Sequence, residues 1–265
     1  MKTILVLTDF SINADYTAHY ALHLAQQIKA NILLCNIYAP DGEQLSSAEQ
    51  NSIEDLGELA ARLRTAANKE NAAVFRPEIS QCSLEGSVAG RINEIAAGNH
   101  VLLAVISSHN AGLLSTMLSG DHARDLIENA ALPVLIIPYQ VRFKGYRNIA
   151  FARNRDTAHT GILQTLSGLA EDTGARLWVA QVTGKVPAEN EEAELAQFCK
   201  GIRYRLIRSR DIAAGLKLLS SEREIDLLAL VHQKRNFLQR LLRGSITQKM
   251  MHHPFTPLLV FPEAV

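Results

Sequence analysis

Short apolar runs alternate along the chain with longer stretches whose apolar residues recur every three or four positions. This alternation predicts βαβ units around a parallel sheet. Thr3 to Leu7 reads as a buried strand, with Thr8-Asp9-Phe10-Ser11 supplying turn chemistry at its carboxyl end. A helix follows from about Asn13 to Lys29, with Tyr16, Tyr20, Leu24 and Ile28 on one face. Asn31 to Ile37 is the second strand. A long polar helix then runs from about Ser46 to Asn71, with Ile53, Leu56, Leu59 and Leu63 as its apolar stripe. The pattern continues with a strand near Ala73 to Ser80, a helix near Ser87 to Ala97 and the strand Val101 to Ile106. A helix from about Asp121 to Asn129 leads to Pro133, which opens the strand Val134 to Ile137. Proline is tolerated there because a missing N–H matters least at a strand's first residue.

The same order then recurs. Ile149 to Ala152 is a strand, Thr157 to Thr173 a helix, and Ala175 to Val182 and Ile225 to Val231 are strands. The run Pro257 to Pro262 matches Pro133 to Pro138. Gly120 and Gly244 are 124 positions apart, as are Pro133 and Pro257, whereas Thr8 and Arg153 are 145 apart. The second half is therefore shorter by 21 residues, lost after its second strand, where the long polar helix stands in the first half. The chain reads as a tandem duplication with domains 1–140 and 145–265.

Composition narrows the function. The 265 residues hold 27 Lys+Arg against 27 Asp+Glu, and zero net charge argues against a general nucleic-acid binder. No apolar run approaches the roughly 18–20 residues that span a bilayer. The amino terminus lacks the apolar core of about 7–15 residues that a signal peptide needs. Cys35, Cys82 and Cys199 are odd in number and far apart in sequence, and read as small buried hydrophobes in a reducing cytosol. The expected location is cytoplasmic.

Each half begins with a strand and a polar turn before its helix, as in Ile4-Leu5-Val6-Leu7-Thr8-Asp9-Phe10-Ser11. Each ends with a strand, a long loop, a Gly-initiated helix and a Pro-opened strand. In this twofold order the chain resembles the universal stress protein family in its tandem-domain form, from Met1 to about Pro262. The resemblance implies two doubly wound α/β domains, each with a five-stranded, mainly parallel sheet and helices on both faces. It also implies pairing of the last strands, here Val134 to Ile137 with Leu258 to Phe261, as a pseudo-dimer within one chain. A homodimer and an unidentified protein partner are compatible with it.

Many members of that family bind ATP. An Asp after the first strand holds the adenosine end, and a G-x2-G-x9-G-[ST] loop wraps the phosphates, where glycines let backbone N–H groups approach the anion. In the first half Asp9 stands at the Asp position, Ser107 and Asn110 replace the leading glycines, Gly120 is kept and Asp121 replaces the Ser/Thr. A carboxylate at Asp121 caps its own helix and repels a triphosphate. The second half has the reverse pattern. Asn154 replaces the Asp, Val231 and Lys234 replace the leading glycines, and Gly244-Ser245 is intact. Lys234, Arg235, Arg240, Arg243 and Lys249 lie around it with no acid from His232 to Met251. This run suits either an anion or a solvated basic helix face. The candidate nucleotide contacts are thus Asp9, Ser107, Gly120, Gly244 and Ser245, with ATP as the candidate ligand and no half complete.

Enzyme signatures are lacking: there is no GxSxG elbow, P-loop, HExxH, or GxGxxG after the first strand. His252 and His253 are adjacent and point to different faces of a helix, so they do not make a metal site with His232. His109 lies in the first-half loop and reads as a hydrogen-bonding group. The expectation is a non-catalytic stress-response binding or interaction module with degenerate nucleotide pockets, without a metal. The alternative is an ATP-binding, slowly hydrolysing member.

Overall fold

Ile4, Leu5 and Val6 are consecutive and all fully buried. A parallel strand with both faces covered produces that pattern, and it is why the run is continuously apolar. The computed structural model describes residues 1–38, 45–69, 73–98, 100–107, 126–153, 160–183, 202–208, 225–232 and 256–262. The chain divides into two compact units, Met1–Lys144 and Gly145–Val265.

The first unit contains β1 (Thr3–Leu7), α1 (Ile12–Ile28), β2 (Asn31–Tyr38), α2 (Leu45–Lys69), β3 (Ile79–Glu85), α3 (Val88–Gly98), β4 (Val101–Ser107) and β5 (Val134–Ile137). A helical turn at 126–129 precedes β5. The strand order is β3-β2-β1-β4-β5, with every pair parallel. Ser11 caps α1 by accepting from the Ala14 N–H at 3.2 Å, and Lys29 closes it in the left-handed conformation at φ 53°. Ala14, Ala18, Ala21 and Ala25 are fully buried, so small side chains let α1 lie close over the sheet. Tyr16 and Tyr20 meet Tyr139 and Phe143 edge-to-face, at centroid distances of 6.5 and 5.1 Å. Those contacts fix the segment after β5 against α1.

The second unit contains β6 (Asn148–Arg153), α4 (Thr160–Thr173), β7 (Arg176–Thr183), β8 (Arg203–Arg208), β9 (Leu227–Val231) and β10 (Leu258–Phe261). Its order is β8-β7-β6-β9-β10, again parallel throughout. Strand for strand this is the order of the first unit, so both are doubly wound α/β sheets. Asp226 Oδ2 accepts from the Arg147 and Asn148 N–H groups at 2.8 and 2.9 Å, pinning the start of β6 to the start of β9. Trp178 donates through Nε1 to Asn148 Oδ1, and the Arg203 guanidinium lies 5.3 Å from its ring centroid.

Three sequence expectations change. The third strand is Ile79–Glu85, not Ala73 to Ser80. Pro77 has no N–H for a ladder, so the pairing with β2 begins after it, at Ile32↔Ile79. Ile53 does not belong to the buried stripe of α2: it is 52% exposed, and Ser52 faces inward in its place at 4%. Ser52, Leu56, Leu59 and Leu63 keep the helical spacing, with a hydroxyl at the first position. The strand β8, Arg-Tyr-Arg-Leu-Ile-Arg, had no counterpart in the sequence pattern. It ends the order of its unit's sheet, where alternating charged residues are tolerated.

Candidate functional site

In the first unit the chain runs from β1 out to β2 and β3 on one side, then crosses to β4 and β5 on the other. The carboxyl ends of β1 and β4 therefore flank the point where the winding direction reverses, which is where open α/β sheets receive ligands. Val6 is level with Val105, so Thr8 and Ser107 come to the same level one strand apart. Asp9 follows Thr8, and Ser107 is the last residue of β4, half-buried and aligned with Ile137 of β5. The fold thus brings Asp9 and Ser107 to the same end of neighbouring strands. Asn110, Gly120, Asp121, Asn154, Lys234, Gly244 and Ser245 lie outside the described residues, as do His109, His252 and His253.

The turn after β1 is held by three of its side chains. Thr8 Oγ1 accepts from the Phe10 N–H at 3.0 Å, Asp9 Oδ1 from the Ser11 N–H at 3.1 Å, and Ser11 Oγ from the Ala14 N–H. Each is a short polar residue bonding backbone two or three positions ahead. Between them Phe10 is held at φ 58°. An aromatic residue in the left-handed region costs roughly 1–2 kcal/mol, and the flanking bonds offset that cost. The Asp9 carboxylate is solvent-exposed and one of its oxygens belongs to this turn.

A second polar network backs the strand end. Asn36 donates through Nδ2 to the Thr8 carbonyl at 2.7 Å and accepts through Oδ1 from Ser52 Oγ at 2.9 Å. Ser52 in turn lies 2.6 Å from Ser83 Oγ. One chain of hydrogen bonds therefore joins β1, β2, α2 and β3. The sequence pattern did not single out these residues, although two of them carry a signal: Asn36 interrupts an apolar run, and Ser52 sits at stripe spacing. Among the described residues, Asn13 Oδ1 in the first turn of α1 is buried with no hydrogen-bond partner.

In the second unit the equivalent strand ends are Arg153 of β6 and Val231 of β9. Val231 is 7% exposed, an apolar side chain where Ser107 stands in the first unit. The His232 N–H donates to the Phe261 carbonyl at 2.7 Å. A shallow depression of about 400 Å³ is lined by Met1, Lys2, His100, Val101 and Leu102. These residues sit at the amino ends of β1 and β4, at the opposite end of the sheet from Asp9, so the depression does not serve the strand-end site. Among the described residues no group of three or more His, Cys, Asp or Glu side chains is placed to hold a metal, and no helix is long and apolar enough to cross a membrane.

At this strand end Asp9 Oδ1 accepts from its own turn and Asn36 bonds to Thr8 and Ser52, while in the second unit the buried Val231 stands where Ser107 stands in the first.

Comparison with solved structures finds the same fold at low identity. A universal stress protein from Archaeoglobus fulgidus superposes with a TM-score of 0.74 at 14% identity, over 98% of this chain and 96% of that one. A functionally unknown protein from Pseudomonas aeruginosa gives 0.57 at 16%, over 98% and 92%. The cytoplasmic domain of a prokaryotic cation chloride cotransporter gives 0.54 at 12%, over 98% and 93%. At such identities the likeness shows the fold alone. Comparison with curated protein sequences finds no match. The sequence model of the universal stress protein family matches residues 1–138 and 167–262, once in each half. With most of its length matched, the chain belongs to the universal stress protein family.

Proposed function

We propose that the chain is a tandem universal-stress-type protein, with domains 1–140 and 145–265, acting in the cytoplasm as a non-catalytic binding or interaction module of the stress response. Its nucleotide pockets are degenerate in this reading. The observation that carries it is the engagement of Asp9 Oδ1 by the Ser11 N–H, which makes the expected adenosine contact a turn-forming residue. The loop substitutions Asn110 and Asp121, and Val231 in the second half, support it. Internal pairing of Val134–Ile137 with Leu258–Phe261 belongs to the same proposal, supported by the wholly apolar character of both runs.

A second reading, ATP binding in the first unit, is favoured by one specific observation. Asn13 Oδ1, in the first turn of the helix that follows the β1 turn, is a buried acceptor lacking a donor among the described residues. Isothermal titration of the full chain with Mg·ATP, alongside Asp9→Ala, separates the readings. A site holding ligand at 100 times its Kd stabilises a fold by about 2.7 kcal/mol, so genuine binding also shows as a raised thermal midpoint. The proposal expects no saturable heat up to millimolar ATP and no midpoint shift. Saturable micromolar heat that disappears in Asp9→Ala establishes the second reading instead. Heat that survives Asp9→Ala assigns the ligand to Gly244-Ser245.

A further inference from the structure

Cys35 and Cys82 are 47 positions apart in sequence and directly aligned across the parallel pair β2–β3. Aligned residues of such a pair present their side chains on the same face, and consecutive residues alternate faces. The next aligned pair, Asn36 and Ser83, reaches Ser52 of α2. The two thiols therefore share the face turned away from α2. Cys35 is fully buried, whereas Cys82 is half-buried on the strand that ends its unit's sheet order. The thiols are also unequal in acidity. A hydrogen bond from the Cys35 thiol holds Cys82 below the ordinary value of 9.0, and that bond together with burial pushes Cys35 well above it. The more accessible sulfur is thus the one nearer its nucleophilic thiolate form, with a neutral thiol behind it.

We propose that Cys35 and Cys82 form a peroxide-oxidisable dithiol whose disulfide reversibly ties β3 to β2. The Cys82 thiolate attacks one oxygen of a hydroperoxide: an S–O bond forms, the O–O bond breaks, and the departing oxyanion takes a proton and leaves as water or alcohol. Cys82 is then a sulfenic acid. The Cys35 sulfur attacks the Cys82 sulfur, the Cys35 thiol proton passes to the leaving hydroxyl, and a water departs as the S–S bond forms. The two thiols lose two electrons and the hydroperoxide gains them. Neighbouring strands are about 4.8 Å apart, within the Cα range of a disulfide, which runs from about 4.4 to 6.8 Å. The same spacing holds the Cβ atoms wider than the roughly 3.8 Å of a relaxed bridge. The resulting bond is strained and so readily reduced by cellular thiols, as labile regulatory disulfides are.

The test uses the full reduced chain, treated with a small excess of hydrogen peroxide, quenched with N-ethylmaleimide, and read by intact mass and peptide mapping. The expected result is loss of two of the three thiols, a mass lower by two hydrogen atoms before labelling, a linked Cys35–Cys82 peptide, and full recovery with dithiothreitol. Cys199→Ser oxidises as the wild type does. Cys35→Ser, with circular dichroism to verify its fold, accumulates a dimedone-trapped sulfenic acid on Cys82 that the wild type resolves. Retention of all three thiols, oxidation of Cys82 without a crosslink in the wild type, or a bridge to Cys199 overturns the proposal. So does equal formation of the Cys35–Cys82 bridge in urea-unfolded chain, since the folded register would then be irrelevant.

Discussion

Replacing Asn36 by alanine tests whether the strand-end turn is held from behind. The side chain donates to the Thr8 carbonyl and accepts from Ser52, at 2.7 and 2.9 Å. An intramolecular hydrogen bond contributes a net of about 0.5–1.5 kcal/mol, so two give about 1–3. Ser52 keeps Ser83 as a partner, whereas the Thr8 carbonyl, in a residue only 6% exposed, loses its Asn36 donor. Weighing these, Asn36→Ala weakens the strand end by about 2 kcal/mol. Two compact units need not unfold in one step, so a single denaturation midpoint is the wrong observable. Hydrogen–deuterium exchange of a peptide spanning Thr8 to Ala14 reads the opening directly, and 2 kcal/mol corresponds to about a thirtyfold loss of protection there. A double-mutant cycle with Ser52→Ala should show coupling of at least about 0.5 kcal/mol. Protection changed by less than about twofold, or full additivity in the cycle, would show that the turn stands by its own Thr8, Asp9 and Ser11 bonds and that the network is incidental.

Further outcomes follow from individual residues. Phe151→Ala, at a fully buried position of β6, should cost about 3–5 kcal/mol and lower the unfolding midpoint read by Trp178 fluorescence. Gly86→Ala should cost at least about 1 kcal/mol, read as lost hydrogen–deuterium exchange protection in a peptide spanning Glu85 to Arg91. Gly86 lies at φ 135°, and an added Cβ would come within 3.1 Å of Arg91 Nε, which holds the Glu85 carbonyl. Alkylation of Cys82 by iodoacetamide should inflect on the acid side of 9.0, because the folded chain favours its thiolate, while Cys35 resists across the same range. A wild-type Cys82 inflection at or above the ordinary value would contradict the assigned hydrogen bond from Cys35.

Much of the fold was legible because buried parallel strands are written as uninterrupted apolar runs. β1 and β5 occupy the predicted residues Thr3–Leu7 and Val134–Ile137. The losses occur at β3 and β8, whose sequences are not uninterrupted apolar runs. β3 mixes Ser80, Gln81 and Ser83 with its apolar residues, and β8 alternates arginine with tyrosine, leucine and isoleucine. The strand expected near Ala73 to Ser80 begins later, because the ladder needs the N–H groups that begin after Pro77. The site was legible in part. Asp9 was recognisable from its place after β1, and its turn-forming role follows from residue type. The Asn36–Ser52–Ser83 network and the Cys35–Cys82 alignment join positions far apart in sequence. Their meeting depends on strand register, which composition and periodicity do not encode.

The polar make-up of those outer strands has a consequence for behaviour at high concentration. With 27 basic and 27 acidic residues the chain carries no net charge to keep copies apart, so colloidal stability has to be local. A strand at the end of a sheet order offers unpaired backbone groups to any extended segment that meets it. On β8, Arg203 and Arg205 flank Tyr204, and on β3 the exposed residues are Ser80, Gln81 and Glu85. Neither presents the continuous, uncharged β-branched surface on which aggregates nucleate. The same irregular composition that hides these strands from pattern reading makes them poor templates for unfolded neighbours.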